Sequence, residues 1–297
     1  MATPVPEYEK TFWKFEEILD NLEMTVTSWF TTPLVLLIVR SIFLIYSLIT
    51  LALSIYDELQ RGRLPMYLTC FTNLGFIGLT AYFTMAVIHS LTFVVCNEPK
   101  SLSTQPRLLT IAFWILYHTI IVYHILIPIV YWAILVPSHT EESPLLAFHE
   151  ISMHGVNFFM MIVEVALNRI PLVASHLIFV LTILILYIFE TWMNNAINSE
   201  PSYILVVADW REIPKGMTII LPYLVMIGIA IGAFLIQALI HTFRDAIGRR
   251  IWRKHLMQEM ETVPRIDENR QGIAISNRKI VRTSANIDFN DIEMQAR

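Results

Sequence analysis

The chain has 297 residues, of which 55% are hydrophobic and only 15% charged, with a formal net charge of −4. A soluble domain carries roughly a quarter charged residues, so a soluble enzyme is excluded, and the mild acidic balance gives no reason to expect nucleic acid as a partner. Nine Gly and 14 Pro exclude collagen-like and low-complexity chains.

Residues 1–32 are charged and mixed rather than basic and then apolar, so no cleavable signal peptide is expected and the first span itself directs insertion. Glu7, Glu9, Glu16, Glu17, Asp20 and Glu23 alternate there with Phe12, Trp13 and Phe15, the composition of a short interfacial helix. Six apolar runs follow, at 33–56, 66–96, 108–136, 145–166, 170–192 and 216–243. Runs of about 18 or more apolar residues read as bilayer-spanning helices. The expected fold class is therefore all-α, a polytopic integral membrane bundle of six transmembrane helices spanning 33–243. Composition does not separate the endoplasmic reticulum from the plasma membrane, and no pattern signals an oligomeric state.

The distribution of positive charge orients the bundle. With both termini in the cytosol, the inner side holds Lys10, Lys14, Lys100, Arg107, Arg169, Arg244, Arg249, Arg250, Arg253 and Lys254, against Arg61, Arg63, Arg211 and Lys215 outside. This asymmetry follows the positive-inside rule. Segment 244–297 opens with the basic cluster, which fixes topology and can touch anionic headgroups. It continues as a polar, mostly disordered cytosolic tail. Arg278-Lys279-Ile280-Val281-Arg282-Thr283-Ser284 in that tail has the form of a basic-directed phosphorylation site, or of an ordinary solvated stretch. Cys70 and Cys96 fall near opposite ends of one predicted helix, about 39 Å apart at 1.5 Å per residue, and read as packing residues.

Only Arg40, Glu150, Glu164 and Glu190 place a formal charge inside the runs. Each costs about 2.5–3.5 kcal/mol on insertion scales and so asks for a partner or a purpose. The fourth span concentrates polar groups: His149, Glu150, His154, Asn157 and Glu164. At helical spacing Glu150, His154, Asn157 and Glu164 share one face. The second span carries another stripe, Thr69, Thr72, Asn73, Phe76, Thr80 and Thr84, whose hydroxyls ordinarily bond back to the carbonyl four residues earlier or pack between helices.

Depth brings the two stripes together, since Thr69 and Thr72 lie roughly 5–9 Å and His154 roughly 14 Å from the same side of the bundle. A hydroxyl beside an imidazole is the minimal pair for nucleophilic acyl chemistry, with Glu150 or Asn157 placed to orient the ring. The same residues also make sense as an inter-helix hydrogen-bond cluster that only fixes packing. A metal site is not expected: His118 and His124 are six residues apart on different faces, His89 and His176 stand alone, and no HxxH box occurs. A proton-coupled transporter built on Glu150, Glu164 and Glu190 is disfavoured by the lack of an inverted repeat or a Gly/Pro-broken helix pair.

Certain motifs carry a family resemblance. Leu68-Thr69-Cys70-Phe71-Thr72-Asn73-Leu74-Gly75-Phe76 resembles the "LTNW-Gly-Phe" opening of a helix in the rolling stone proteins. These group with the androgen-induced and androgen-dependent membrane proteins, chains of five or six spans. His154-Gly155-Val156-Asn157 resembles the rolling stone "HGxN" signature, Glu164 matches an acidic position of the androgen-induced branch, and Asp209-Trp210 is similar to an "LDW" element. The androgen-induced branch comprises threonine hydrolases that split fatty-acid esters of hydroxy fatty acids with an intramembrane Thr and His.

The resemblance implies His154 as base, its motifs carry Asn73, Asn157 and Glu164 as supporting residues, and spacing adds Glu150. It implies a lipid ester substrate reached from membrane lipids, and no cofactor. Aligning Phe71-Thr72-Asn73 with "LTN" makes Thr72 the nucleophile, whereas aligning Tyr67-Leu68-Thr69 with "FLT" makes it Thr69. The longer match, Thr-Asn followed by Gly-Phe, favours Thr72, although Leu74 stands where the motif usually has Trp. The rolling stone branch is associated with muscle-cell fusion, which makes a non-catalytic adhesion or fusion protein the second reading.

Overall fold

The computed structural model describes residues 12–15, 19, 21–96, 105–135, 144–198 and 221–262. Among these residues the chain is all-α, with helices α1 (Pro33–Gln60), α2 (Phe71–Cys96), α3 (Arg107–Val130), α4 (Pro144–Ile151), α5 (Asn157–Leu167), α6 (Leu177–Asn198) and α7 (Leu221–Thr262). Six helical stretches are long and apolar enough to cross a membrane: Pro33–Gln60, Phe71–Cys96, Arg107–Ala133, Ala147–Leu167, Ala174–Asn194 and Tyr223–His255. This is the build of a multi-pass membrane protein. The chain divides into two compact units, residues 1–249 and 250–297. The described part of the second is helical and exposes Ile251, Trp252, Arg253 and Lys254.

Helix α1 shows how such a sequence packs. Ile38, Ile42, Ile45 and Ile49 are exposed, while Arg40, Ser47, Thr50 and Ser54 are buried. Both sets recur at three-, four- or seven-residue steps, so one stripe is apolar and the other polar. The polar stripe faces inward, the reverse of a soluble helix, as expected when the surroundings are hydrocarbon. Thr32 caps the start of α1 by accepting the Val35 N–H at 3.4 Å. Gly62 closes its end at φ +68°, with the Gly62 N–H donating to Leu59 and the Arg63 N–H to Glu58. That left-handed conformation favours glycine.

The second apolar run is not one helix. Leu64–Thr69 forms a 3-10 turn, Cys70 is extended, and α2 starts only at Phe71. Asn73 explains the break: its Nδ2 donates to the Tyr67 carbonyl at 3.0 Å, the acceptor that a continuous helix would offer to the Phe71 N–H. Cys70 therefore precedes the helix whose far end holds Cys96. Helix α3 is the centre of the bundle, burying Phe113, Trp114, Tyr117, Ile120, Ile121 and Leu126. It approaches α2 at Gly75 and Gly78, where an added Cβ would lie 2.9 Å from Ile127 Cδ1 and 2.8 Å from Ile120 Cδ1.

Two π turns interrupt the spans. Tyr131–Leu135 follows Pro128 at the end of α3, and Ser152–Val156 separates α4 from α5 within the fourth span. The fifth run begins helically only at a 3-10 turn, Ala174–His176, ahead of α6. Helix α7 continues past the expected end at 243 through the basic cluster to Thr262. The first eleven residues, Asp209-Trp210, and the tail from 263 with its Arg278–Ser284 motif lie outside the described residues.

Candidate functional site

The threonine hydroxyls further along α2 are satisfied within their own helix. Thr80 donates to the Phe76 carbonyl at 2.9 Å, Thr84 to Thr80 at 2.8 Å and Thr92 to Ile88 at 2.9 Å. Thr72 is different because it is the second residue of α2, so the residue four before it, Leu68, lies outside the helix. Its Oγ1 instead reaches across to His154 Nε2, 3.3 Å away. Thr72 is partly exposed, whereas His154 is buried to 8% exposure.

The other ring nitrogen of His154 determines which way the proton points. Nδ1 lies 3.0 Å from the Glu150 carbonyl, and a carbonyl can only accept, so in the neutral ring Nδ1 carries the hydrogen. Nε2 is then an acceptor, and the Thr72 hydroxyl is its donor. A serine-type nucleophile requires this polarity of its base.

The π turn places the imidazole. The Asn157 N–H donates to Ser152, five residues back, which inserts one residue relative to an α-helix and loosens nearby carbonyls. Side chains take these up. Asn157 Nδ2 donates to the Met153 carbonyl, Trp132 Nε1 donates to the His154 carbonyl at 3.2 Å, and the His154 ring itself holds Glu150. Tyr131 lies face to face with the imidazole, its centroid 3.5 Å away and the planes 7° apart.

The expected site residues therefore separate. Glu150 orients the ring through its backbone carbonyl. Asn157 supports the turn that carries His154 rather than touching the ring. Asn73 ties the 3-10 turn to the start of α2. Thr69 sits in that turn, its carbonyl held by the Tyr187 hydroxyl at 3.0 Å. Glu164 does not join the site. It lies ten residues beyond His154, about 15 Å along the helix, where Arg40 Nε reaches both carboxylate oxygens at 3.1 Å and Nη2 reaches Oε1 at 2.5 Å. Tyr82 and Asn168 donate to the same carboxylate at 2.8 and 3.1 Å. Arg40 also donates to Ser90 Oγ at 2.7 Å and to the Thr25 carbonyl at 2.8 Å. Both ion-pair side chains are fully buried, and their hydrogen bonds make this a structural anchor.

Sequence reasoning missed a second hydroxyl–imidazole pair. Ser54 Oγ lies 2.8 Å from His149 Nε2 and accepts from the Tyr67 hydroxyl at 3.0 Å; burial pushes the Tyr67 phenol above its ordinary value. The spacing of Ser54 on α1, four residues after Thr50 on the polar stripe, was the available signal. Ser54 is 1% exposed, so substrate access distinguishes it from Thr72, and it reads as a clamp between α1, α4 and the 3-10 turn.

Cys70 occupies the cap position of α2. The N–H groups of Thr72 and Asn73 follow it directly at the start of the helix. Those N–H groups belong to the first helical turn and lack helical acceptors. Among the described residues no group of three His, Cys, Asp or Glu side chains is placed to hold a metal ion. No family model, curated protein or solved structure matches this chain.

Proposed function

We propose that the chain is an intramembrane lipid ester hydrolase in which Thr72 is the nucleophile and His154 the general base. One observation carries the reading: the Thr72 hydroxyl faces His154 Nε2 at 3.3 Å, while the Glu150 carbonyl fixes the ring in the proton-accepting tautomer. The resemblance of the Thr72 and His154 motifs to the rolling stone and androgen-induced group supports it. Thr72 Oγ1 passes its proton to Nε2 as it attacks the ester carbonyl carbon. The proton then goes to the leaving alcohol oxygen as the carbonyl–oxygen bond breaks, leaving an acyl-threonine. Water attacks that ester, giving its proton to Nε2, and the carboxylic acid departs as the proton returns to Thr72. The N–H groups of Thr72 and Asn73 open α2 without helical acceptors and are donors available to a developing oxyanion.

The exposed apolar residues Leu68 and Trp132 on the flanking turns suit a substrate that arrives through the bilayer. The charge asymmetry supports a topology with both termini in the cytosol, in which the Thr72–His154 pair lies in the opposite half of the membrane. In detergent-solubilised protein, Thr72→Ala lowers hydrolysis of long-chain fatty-acid esters and labelling by a fluorophosphonate probe about 100-fold or more, while Thr69→Ala leaves both in place. His154→Gln keeps a hydrogen bond to Thr72 but removes the strong base, so it abolishes turnover in a folded protein. Full function of His154→Gln favours instead the non-catalytic adhesion or fusion reading, and turnover by Thr72→Ala equal to wild type overturns Thr72 as the nucleophile.

A further inference from the structure

Accepting a proton turns His154 into a buried cation, and something must balance it. In Ser-His-Asp enzymes a carboxylate does so. Here Nδ1 is bound to the backbone carbonyl of Glu150, and Glu164, expected among the supporting residues, is occupied by Arg40. What the imidazole does meet is the face of Tyr131, nearly parallel at a centroid distance of 3.5 Å. Two neutral rings avoid this arrangement, preferring offset or edge-to-face contacts at 4.5–7 Å. A cation over an aromatic face favours it, because the ring quadrupole places negative charge there. The stacking therefore suits the imidazolium better than the imidazole.

We propose that Tyr131 is a positioning residue whose ring face stabilises the His154 imidazolium, standing where other hydrolases place a carboxylate. The assignment rests on the Thr72–His154 reading and deepens it. The second π turn, Tyr131–Leu135, is then part of the site. It presents Tyr131 to the ring of His154 and Trp132 to its carbonyl, so one interruption of α3 holds the residue carried by the interruption of the fourth span.

The test uses the full-length protein in detergent or nanodiscs, with long-chain fatty-acid esters as substrate. Tyr131→Phe keeps the ring face and sets the reference kcat. Replacing Tyr131 by pentafluorophenylalanine keeps the shape but reverses the quadrupole, and kcat falls about tenfold with KM unchanged. Pentafluorophenylalanine turning over as well as Phe overturns the proposal, and the isosteric comparison holds even if Tyr131→Leu fails to fold. A wild type without Thr72-dependent turnover defeats the hydrolase reading alone. In that case the NMR titration of isotope-labelled His154 decides for Tyr131. A lower midpoint in the pentafluorophenylalanine variant than in Tyr131→Phe supports the stacking, and equal midpoints overturn it.

Discussion

The charge that insertion energetics made conspicuous is answered by another charge. Arg40 and Glu164, two of the four formal charges in the apolar runs, form a fully buried, bidentate pair. Removing one partner leaves the other uncompensated, so Arg40→Met destabilises by about 3–5 kcal/mol, whereas Arg40→Met with Glu164→Leu costs much less than the two single losses combined. Reversible unfolding in mixed micelles measures this cycle; additive losses would show that the two residues act separately. The sequence exposed both residues as anomalies but not as partners, because 124 residues separate them and helical periodicity carries no information about which stripe meets which. Tyr131 was illegible for a related reason. An aromatic near the end of an apolar run looks like any interfacial anchor until the partner ring is seen above it.

At the scale of elements, what the sequence conveys well is the existence of the spans, because some twenty apolar residues in succession have few other uses. It conveys the interruptions poorly. The break before α2 depends on one side chain, Asn73, competing for one carbonyl, and the π turns cost little enough that hydropathy does not change across them. Even so, the nearness of Thr72 and His154 is legible as depth along two helices, since a one-residue insertion shifts depth by only about 1.5 Å. Facing is more sensitive than depth: one residue turns a helix by about 100°. Gly155 lies in the π turn with open space around its Cβ position, so deleting it removes the inserted residue without removing a packing group. The expected outcome is a continuous helix that keeps the Arg40–Glu164 anchor and normal thermal unfolding but rotates His154 away and loses Thr72-dependent turnover. Retained turnover would show that the π turn does not place the base.

For the molecule as a whole, the bundle is organised with its strongest polar bonds inside and the isoleucine stripe of α1 outside. The buried network extends past the anchor. Arg244 donates to Asn168 Oδ1 at 2.8 Å and to the Val165 and Ile170 carbonyls at 3.0 and 2.9 Å, joining α7 to the end of α5. Trp29 closes this end: its Nε1 donates to Asp245 at 3.3 Å, the Arg169 guanidinium lies 4.0 Å over its ring, and Gly248 packs directly beneath it. A methyl group at 248 would collide with the Cβ and ring carbons of Trp29, which cannot yield without breaking both interactions. Gly248→Ala therefore costs about 1–3 kcal/mol. Gly78→Ala costs less, because its clash is with the flexible tip of Ile120. Micelle unfolding of the two variants ranks them, and equal losses would show that Trp29 yields as easily as Ile120 Cδ1.

The Arg40–Glu164 pair also sets a schedule for biogenesis. Arg40 leaves the ribosome 124 residues before its counterion, an interval of roughly 6–25 s at about 5–20 residues per second. Throughout that interval span one must be held by the insertion machinery, or must float its guanidinium toward the headgroups. Only the arrival of span four lets the bundle close. A nascent chain truncated before Glu164 thus carries an orphaned guanidinium, and the ion pair that anchors the finished fold can form only once span four has arrived.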